Sequence, residues 1–356
     1  MAISDLQLAL IGLGATAVAS VWGYNKWQER GHRKLAERIV QGGEKHDVLL
    51  GSTEAAAAAS IGTNERIEPG LDAADAATAS AAVSSPWADA AADAIAQIEF
   101  AASVAAPALW SAQAAWADHI GKPLHWLGEA DGEWHLLTPH DAGSYSKIKA
   151  SLQLADRRGA ISEAEVDTFV DGVGAVATQL AGVAVTPDID DVLNRARELD
   201  DFCASVDFQL AVHVAAAAGE PFAGTKLRGL AEAAGMQLGD DGRFHAKDDA
   251  GQTLYTLGNV GVELFDAETL RVLTTPAVTF SLDVPNVAQG PRIFDRMVSA
   301  ARAMALALEG ALVDAQHTPL TDEMIAGIRA RIEEIQTRMA AQQIVAGSPR
   351  ALRLFS

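Results

Sequence analysis

Apolar and polar positions divide the chain into three regimes. Leu6 to Asn25 carry no charged side chain, and an apolar run of roughly 20 residues is long enough to cross a bilayer as a helix. From about residue 51 to 97 bulky apolar residues are sparse and no period emerges. Beyond Gln97 the pattern becomes that of folded α+β protein. Ile98 to Val104 predicts a strand, and Pro107 to Ile120 a helix carrying Leu109, Trp110 and Trp116. Leu124–Leu127 and Trp134–Leu137 predict strands joined by a hairpin at Asp131-Gly132. From Lys147 to Leu154 the alternation is regular, with Ile148, Ala150, Leu152 and Leu154 on one face and Lys147, Lys149, Ser151 and Gln153 on the other. Ser162 and Glu165 have capping-box spacing before a long helix that stops at Gly182. Val183–Val185 is a short strand, and a helix follows from about Ile189 to Cys203.

The same order then recurs. Phe208–Val214 predicts a strand and Thr225–Ala234 a helix. Strands follow near Met236–His245 and Thr253–Val260, with a helical turn at Asp266–Leu270. Pro276–Val284 is a strand, Pro291–Glu309 a helix, Ala311–Val313 a strand and Asp322–Met339 a closing helix. Two segments align without gaps: Phe169–Gly182 with Met297–Gly310, and Thr186–Asp191 with Thr318–Glu323. These matches predict a tandem duplication of one module. Each alternating strand has one apolar face for its helices, so the expected fold is α+β, of split β-α-β type. It has antiparallel sheets covered by helices on one face and open on the other.

The flanks of the apolar run give it a direction. Asp5 precedes it, while Lys26, Arg30, Arg33, Lys34 and Arg38 follow. A secretory signal begins with a positive region, so an anchor is expected and not a cleaved signal. The positive-inside rule places the N-terminus outside and the rest in the cytoplasm, with Trp22, Tyr24 and Trp27 as interfacial anchors. Small residues at Ala15, Ala19 and Gly23, and at Gly12, Thr16 and Ser20, have the spacing of self-associating membrane helices. The expected division is thus a transmembrane helix at 6–25, a basic juxtamembrane segment at 26–50, an Ala-rich acidic tether at 51–96, modules at 97–204 and 205–340, and a tail at 341–356. As a coil the tether spans roughly 35–40 Å.

Composition excludes several classes of function. The net charge of -20 argues against nucleic acid, which needs clustered cations. The single cysteine, Cys203, leaves no internal disulfide and no cysteine-rich metal site. None of the nine histidines makes an HExxH pair, and no metal or cofactor is expected. His125 and His135 flank the first hairpin, and cross-strand packing is their ordinary reading. Gly239-Asp-Asp-Gly242 resembles part of a calcium loop without the later bidentate Glu and reads better as a hairpin turn. Asp156-Arg-Arg-Gly159 reads as a charged turn. The tail from Arg350 to Phe355 reads as a frayed terminus. No GxSxG, phosphate loop or kinase signature occurs, so no catalytic residues are assigned.

The C-terminal module nevertheless carries a family pattern. Its marks are Val214–Gly219 after the first strand, Gly239-Asp240 with Phe244-His245, and Leu257 with Asn259. Then come Phe265-Asp266, Thr274–Thr279, Val284-Pro285, and a helix with Phe294 and Ala300-Ala301. Together with an anchor and a tether, this pattern resembles the ZipA family, bacterial division proteins that tie the tubulin-like FtsZ to the inner membrane. The resemblance implies a non-enzymatic, single-pass inner-membrane protein that tethers FtsZ during septum (Z-ring) assembly by holding the FtsZ C-terminal tail on the open sheet face. The positions matching that ligand face are Gln209, Ala211, His213, Asp241, Thr256, Gly258, Val260 and Ser281. They are smaller and more polar than the family's apolar anchors, and peptide affinity rests on a few such anchors, so weak FtsZ binding is expected. The family's tether is typically longer and rich in Pro and Gln, and it lacks a second module. The alternative function is a membrane-tethered receptor or adaptor for another protein or a small ligand.

Overall fold

A computed structural model of the chain describes residues 87–216 and 220–356. The expected anchor, the basic segment and most of the tether lie outside the described residues. Among the described residues no helix is long and apolar enough to cross a membrane.

The first module begins inside the stretch expected to be tether. Strand β1 runs Asp93–Ala105, with Asp93, Ala94 and Ala96 buried. Alanine favours helix by propensity, which hides a strand whose small side chains suit the crowded centre of a sheet. Helix α1, Ala106–Gln113, ends sooner than its apolar pattern implied. Strands β2 (Leu124–Ala130) and β3 (Glu133–Leu136) form the expected hairpin. Its turn residues, Asp131 at φ 54° and Gly132 at φ 83°, have the paired positive φ of a type I′ turn. Strand β4 covers Ser144–Gln153, and the short strands β5 (Ala155–Asp156) and β6 (Gly159–Ala160) enclose the charged turn. Helix α2, Glu163–Gln179, starts at the expected box: Ser162 N–H donates to Glu165 Oε2 (3.0 Å) and Glu165 N–H to Ser162 Oγ (3.4 Å). Strand β7 (Gly182–Val185) and helix α3 (Ile189–Val206) complete the module.

Its strands form an antiparallel sheet in the order β3-β2-β4-β1-β7. Ile98, Trp126, Ala150 and Leu152 meet Val166, Phe169 and Val173 of α2 in one core. The buried Trp126 indole donates to the Gln113 side chain, tying β2 to α1. Gly172 sits inside α2 because a Cβ there would lie 2.3 Å from the Trp116 ring.

The second module repeats the path. Strand β8 (Gln209–Ala216) leads through β9 (Phe222–Ala223) to helix α4 (Gly224–Ala233). Then come β10 (Gln237–Leu238), β11 (Phe244–Lys247), β12 (Thr253–Asn259), β13 (Thr274–Thr275) and β14 (Ala277–Asp283). Helix α5 (Gly290–Ala307), strand β15 (Gly310–Val313) and helix α6 (Asp322–Ala341) follow. The sheet order is β10-β11-β12-β14-β8-β15. Phe244, Leu257, Phe280 and Val214 face Phe294, Met297 and Ala301 of α5 in the second core.

The modules therefore agree in chain order and in the sheet's central strands, with β14, β8 and β15 in the places of β4, β1 and β7. They differ in the hairpin. The first hairpin strand, β2, lies beside β4, whereas the second, β12, lies beside β14. The ungapped match ending at Gly182 and Gly310 has a shared geometry. The left-handed residue closing each helix is the one before the glycine, Ala181 and Glu309, both at φ 55°. The glycines serve close approach instead: a Cβ on Gly182 would lie 2.6 Å from Phe100, and one on Gly310 2.6 Å from the Ala215 carbonyl oxygen.

The expected frayed tail is an ordered helix, α7 (Pro349–Leu354), at the junction of the modules. Arg350 pairs with Asp89 and Arg353 with the buried Asp93. Gln153 Nε2 donates to the Arg353 carbonyl (3.0 Å), and Asn286 Nδ2 to the Phe355 carbonyl (3.0 Å). From the charged turn, Arg157 reaches Asp207 (2.8 Å) and Asp283 (2.7 Å). Burial works against the Arg157 charge, yet hydrogen bonds to those two carboxylates hold its pKa above the usual guanidinium value. In the same turn Asp156 is buried against Lys122 (2.6 Å) and Arg158 (2.6 Å). Burial raises its pKa, but the hydrogen bonds from Arg158 and Lys122 outweigh that and leave it below the usual carboxylate value.

Two stability measurements follow from this packing. Gly310→Ala forces a side chain onto a backbone oxygen and is expected to cost about 1–3 kcal/mol. Gly327→Ala, in open space on α6, is expected to gain about 0.5–1 kcal/mol. Denaturant melts check both. The lowered pKa of Asp156 means that its contribution is present above the unfolded carboxylate value and is lost as pH falls through the folded one. The gap between wild type and Asp156→Asn should thus be widest at neutral pH and narrow below about pH 4.

Candidate functional site

Alternation along β8, β12 and β14 settles which side chains leave the core. Leu210, Val212 and Val214, Tyr255 and Leu257, and Val278, Phe280 and Leu282 point into the helix layer. Their neighbours form the opposite face. In one row across the sheet, His245 lies beside Thr256, Thr256 beside Ser281 and Ser281 beside Ala211. In the next, Gly258 lies beside Thr279 and Thr279 beside His213. Gln209 pairs with Asp283 at one end, and half-exposed Val260 follows β12 at the other. Asp241 belongs to the turn before β11, which hydrogen bonds across its ends (Gly239 N–H to the Arg243 carbonyl, 2.8 Å) as a hairpin turn. Six of the eight expected positions thus share one strand face, with Asp241 in the adjoining turn and Val260 just past β12.

A cavity of about 450 Å³ opens at the Gln209 end of this face. Its lining includes Gln209, Arg243, Leu254, Thr256, Ser281 and Leu352. Leu352 comes from α7, so the C-terminal helix walls one end of the site. Sequence reading missed Arg243, His245, Leu254, Thr279 and Leu352. His245 and Thr279 were accessible from strand parity, since they alternate with core residues of their own strands, and Arg243 from its place one residue before β11; Leu254 was not, because it lies at a register shift and packs partly against the core. Leu352 had no such signal.

Polar groups on the face are largely committed to each other. His213 Nδ1 and Thr279 Oγ1 are 2.9 Å apart, and burial, with the nearby His317, lowers the His213 pKa against the pull of Asp314. His245 Nε2 lies 2.8 Å from Asp241 Oδ1, and His245 Nδ1 3.1 Å from Thr253 Oγ1. Burial of Asp241 opposes its charge, but the His245 hydrogen bond and the charges of His245 and Arg243 keep its pKa below the usual carboxylate value. Gly258 does not leave its space empty: a Cβ there would touch the Arg243 stem, 3.6 Å from Cγ and 3.8 Å from Cδ. The space over the glycine is thus roofed by this arginine.

The corresponding face of the first module is only partly open. Lys147 is exposed, and Lys149 stacks over Trp134, 3.9 Å from the ring centre. Ser151 and Gln153, expected beside them on an open surface, are buried. Gln153 is held by the α7 contact, and His125, beside Ser151 in the ladder, stacks on Trp87 with ring centres 5.0 Å apart. His125 and His135 lie on opposite faces of the hairpin, since His135 pairs with Gly128. Among the described residues no group of three His, Cys, Asp or Glu side chains is placed to hold a metal ion.

The architecture is that of an α+β sandwich with one strand face left free of helices and lined by small and hydroxyl side chains. The comparisons with known proteins narrow this class. Residues 209–331 match the family described as ZipA, C-terminal FtsZ-binding domain. The chain is similar to cell division protein ZipA of Marinobacter nauticus, 28% identical over 138 residues, covering 38% of this chain and 41% of that protein. It is 34% identical to cell division protein ZipA of Pseudomonas fluorescens over 113 residues, 31% of this chain and 39% of the relative. For that of Stutzerimonas stutzeri the identity is 32% over 158 residues, 43% and 57%. The chain thus spans about two fifths to three fifths of these relatives' lengths.

The Arg243 contact makes Gly258 tolerant of a small side chain and intolerant of a large one. Gly258→Ala should alter stability by no more than about 0.5 kcal/mol. Gly258→Trp should displace the Arg243 stem, which amide and side-chain NMR shifts of Arg243 would register.

Proposed function

We propose that this is a membrane-anchored division protein whose C-terminal module holds the C-terminal tail of FtsZ across the open face. In this reading it ties FtsZ filaments to the inner membrane during septum assembly and has no catalytic activity of its own. The observation that carries the reading is a coincidence of two facts: residues 209–331 match the FtsZ-binding domain family, and the strand face within them is left uncovered by any described element. The charge asymmetry about residues 6–25 supports one membrane crossing, with the N-terminus periplasmic and both modules cytoplasmic. The acidic tether gives the modules reach from the bilayer. The common path of the two modules supports their reading as copies of one unit, the second keeping the binding face and the first bracing it through α7 and Arg157.

The face is poor in apolar anchors. Leu254, Val260 and Leu352 are its larger apolar side chains, among serines, threonines and alanines. Affinity follows the quality of a few buried anchors more than total area, so a Kd in the weak micromolar range or above is expected. Calorimetry of the full-length chain with a synthetic FtsZ tail peptide tests the reading. Ser281→Trp, at the centre of the Thr256–Ser281–Ala211 row, should weaken binding at least tenfold and leave the thermal melt in place. Unchanged binding in that variant would remove this face as the site. A wild-type chain that ignores the peptide would favour the receptor reading.

A further inference from the structure

Arg243 is exposed and precedes Phe244, whose ring faces the core. Parity therefore puts Arg243 on the open face, where its stem lies over Gly258. Among the described residues its guanidinium makes no hydrogen bond and no ion pair. Its charge acts on Asp241 without a side-chain hydrogen bond, and Asp241 and Asp283 take their side-chain hydrogen bonds from other residues. Asp241 is hydrogen-bonded to His245, and Asp283, which lines the same cavity, is held by Arg157 and Asn286. Arg243 and Asp283 are the charged residues of the cavity lining. With Asp283 held from behind by Arg157, which it shares with Asp207, Arg243 is the cation of the cavity lining. An arginine fork is shaped to take a carboxylate through two parallel hydrogen bonds. Beside it, Leu254 and Leu352 offer apolar walls.

We infer that Arg243 is the carboxylate receptor of the open face, taking an acidic side chain or the terminal carboxylate of the docked peptide while the cavity between Leu254 and Leu352 takes a neighbouring apolar side chain. This rests on the peptide-docking reading above and adds a charge requirement to it. The polar face then has a physical use. Where apolar anchors are few, a charge-assisted pair against a low-dielectric wall supplies both orientation and selectivity.

The test is a double-mutant cycle on the full-length chain. The probes are a synthetic FtsZ tail peptide and the same peptide with its Asp and Glu residues changed to Asn and Gln and its C-terminus amidated. Binding is read by fluorescence anisotropy at low and high salt, and thermal melts accompany each variant. Arg243→Gln should weaken the acidic peptide about tenfold and leave the neutralised peptide unaffected. Arg243→Lys should recover part of the loss, and salt should weaken the wild-type complex more than the Arg243→Gln complex. If wild type binds the acidic peptide and Arg243→Gln binds it equally well, the inference is overturned while the docking reading stands. Equal wild-type affinity for the two peptides overturns it as well. If wild type binds neither, the docking reading falls and the inference with it.

Discussion

Asp93 is buried at the start of β1, and a carboxylate out of water is tolerated only against a cation. Arg353 supplies that cation. Breaking a buried pair by removing one partner typically costs about 3–5 kcal/mol, so this contact fixes where the last residues go. Once Arg353 is placed, Phe355 is buried at the junction and its carbonyl receives Asn286, just beyond β14. Leu352 is then set against the end of the open face. A pair whose members stand at opposite ends of the described chain thereby shapes one wall of the candidate site. Arg157 strengthens the same junction by joining a turn of the first module to Asp207 and Asp283 at the borders of the second.

What was legible in the sequence is what local chemistry dictates. The Asp131-Gly132 turn, the Ser162–Glu165 box and the alternation of β14 depend on residues a few positions apart, and the structure holds all of them, whereas the polar positions of β4 are covered at Ser151 and Gln153. The junction depends on pairs such as Arg157 with Asp283, whose spacing carries no periodic signal, so a turn that joins two modules looked like a surface turn and an anchoring helix looked like a tail. Strand β1 was partly hidden because its buried positions are alanines, which read as tether. The exchange of hairpin neighbours, β2 beside β4 against β12 beside β14, was equally invisible, since both arrangements satisfy the same alternation.

The ligand face shows the same division. The family resemblance singled out Gln209, Ala211, His213, Thr256, Gly258 and Ser281, and the parity of their strands is consistent with a shared face. Parity does not say what a neighbouring strand lays over a position, and Gly258 is the example. Its missing side chain leaves no open space, because the arginine across the ladder already lies there. A glycine in a strand marks close approach by something, and the approaching group here is part of the same chain.

The two modules differ in how far their strand faces are covered. In the first, the strand face is closed at one end by the Trp87 region and α7, which bury Ser151 and Gln153. In the second, the equivalent face stays uncovered, and the same α7 forms its rim. A single terminal helix thus closes one face and borders the other. Its two sides serve both tasks because the arginines face Asp89 and Asp93 while Leu352 faces the cavity. A shift of α7 that exposed Asp93 would also withdraw Leu352 from the cavity, so the integrity of the first module and the shape of the open face are coupled through one ion pair.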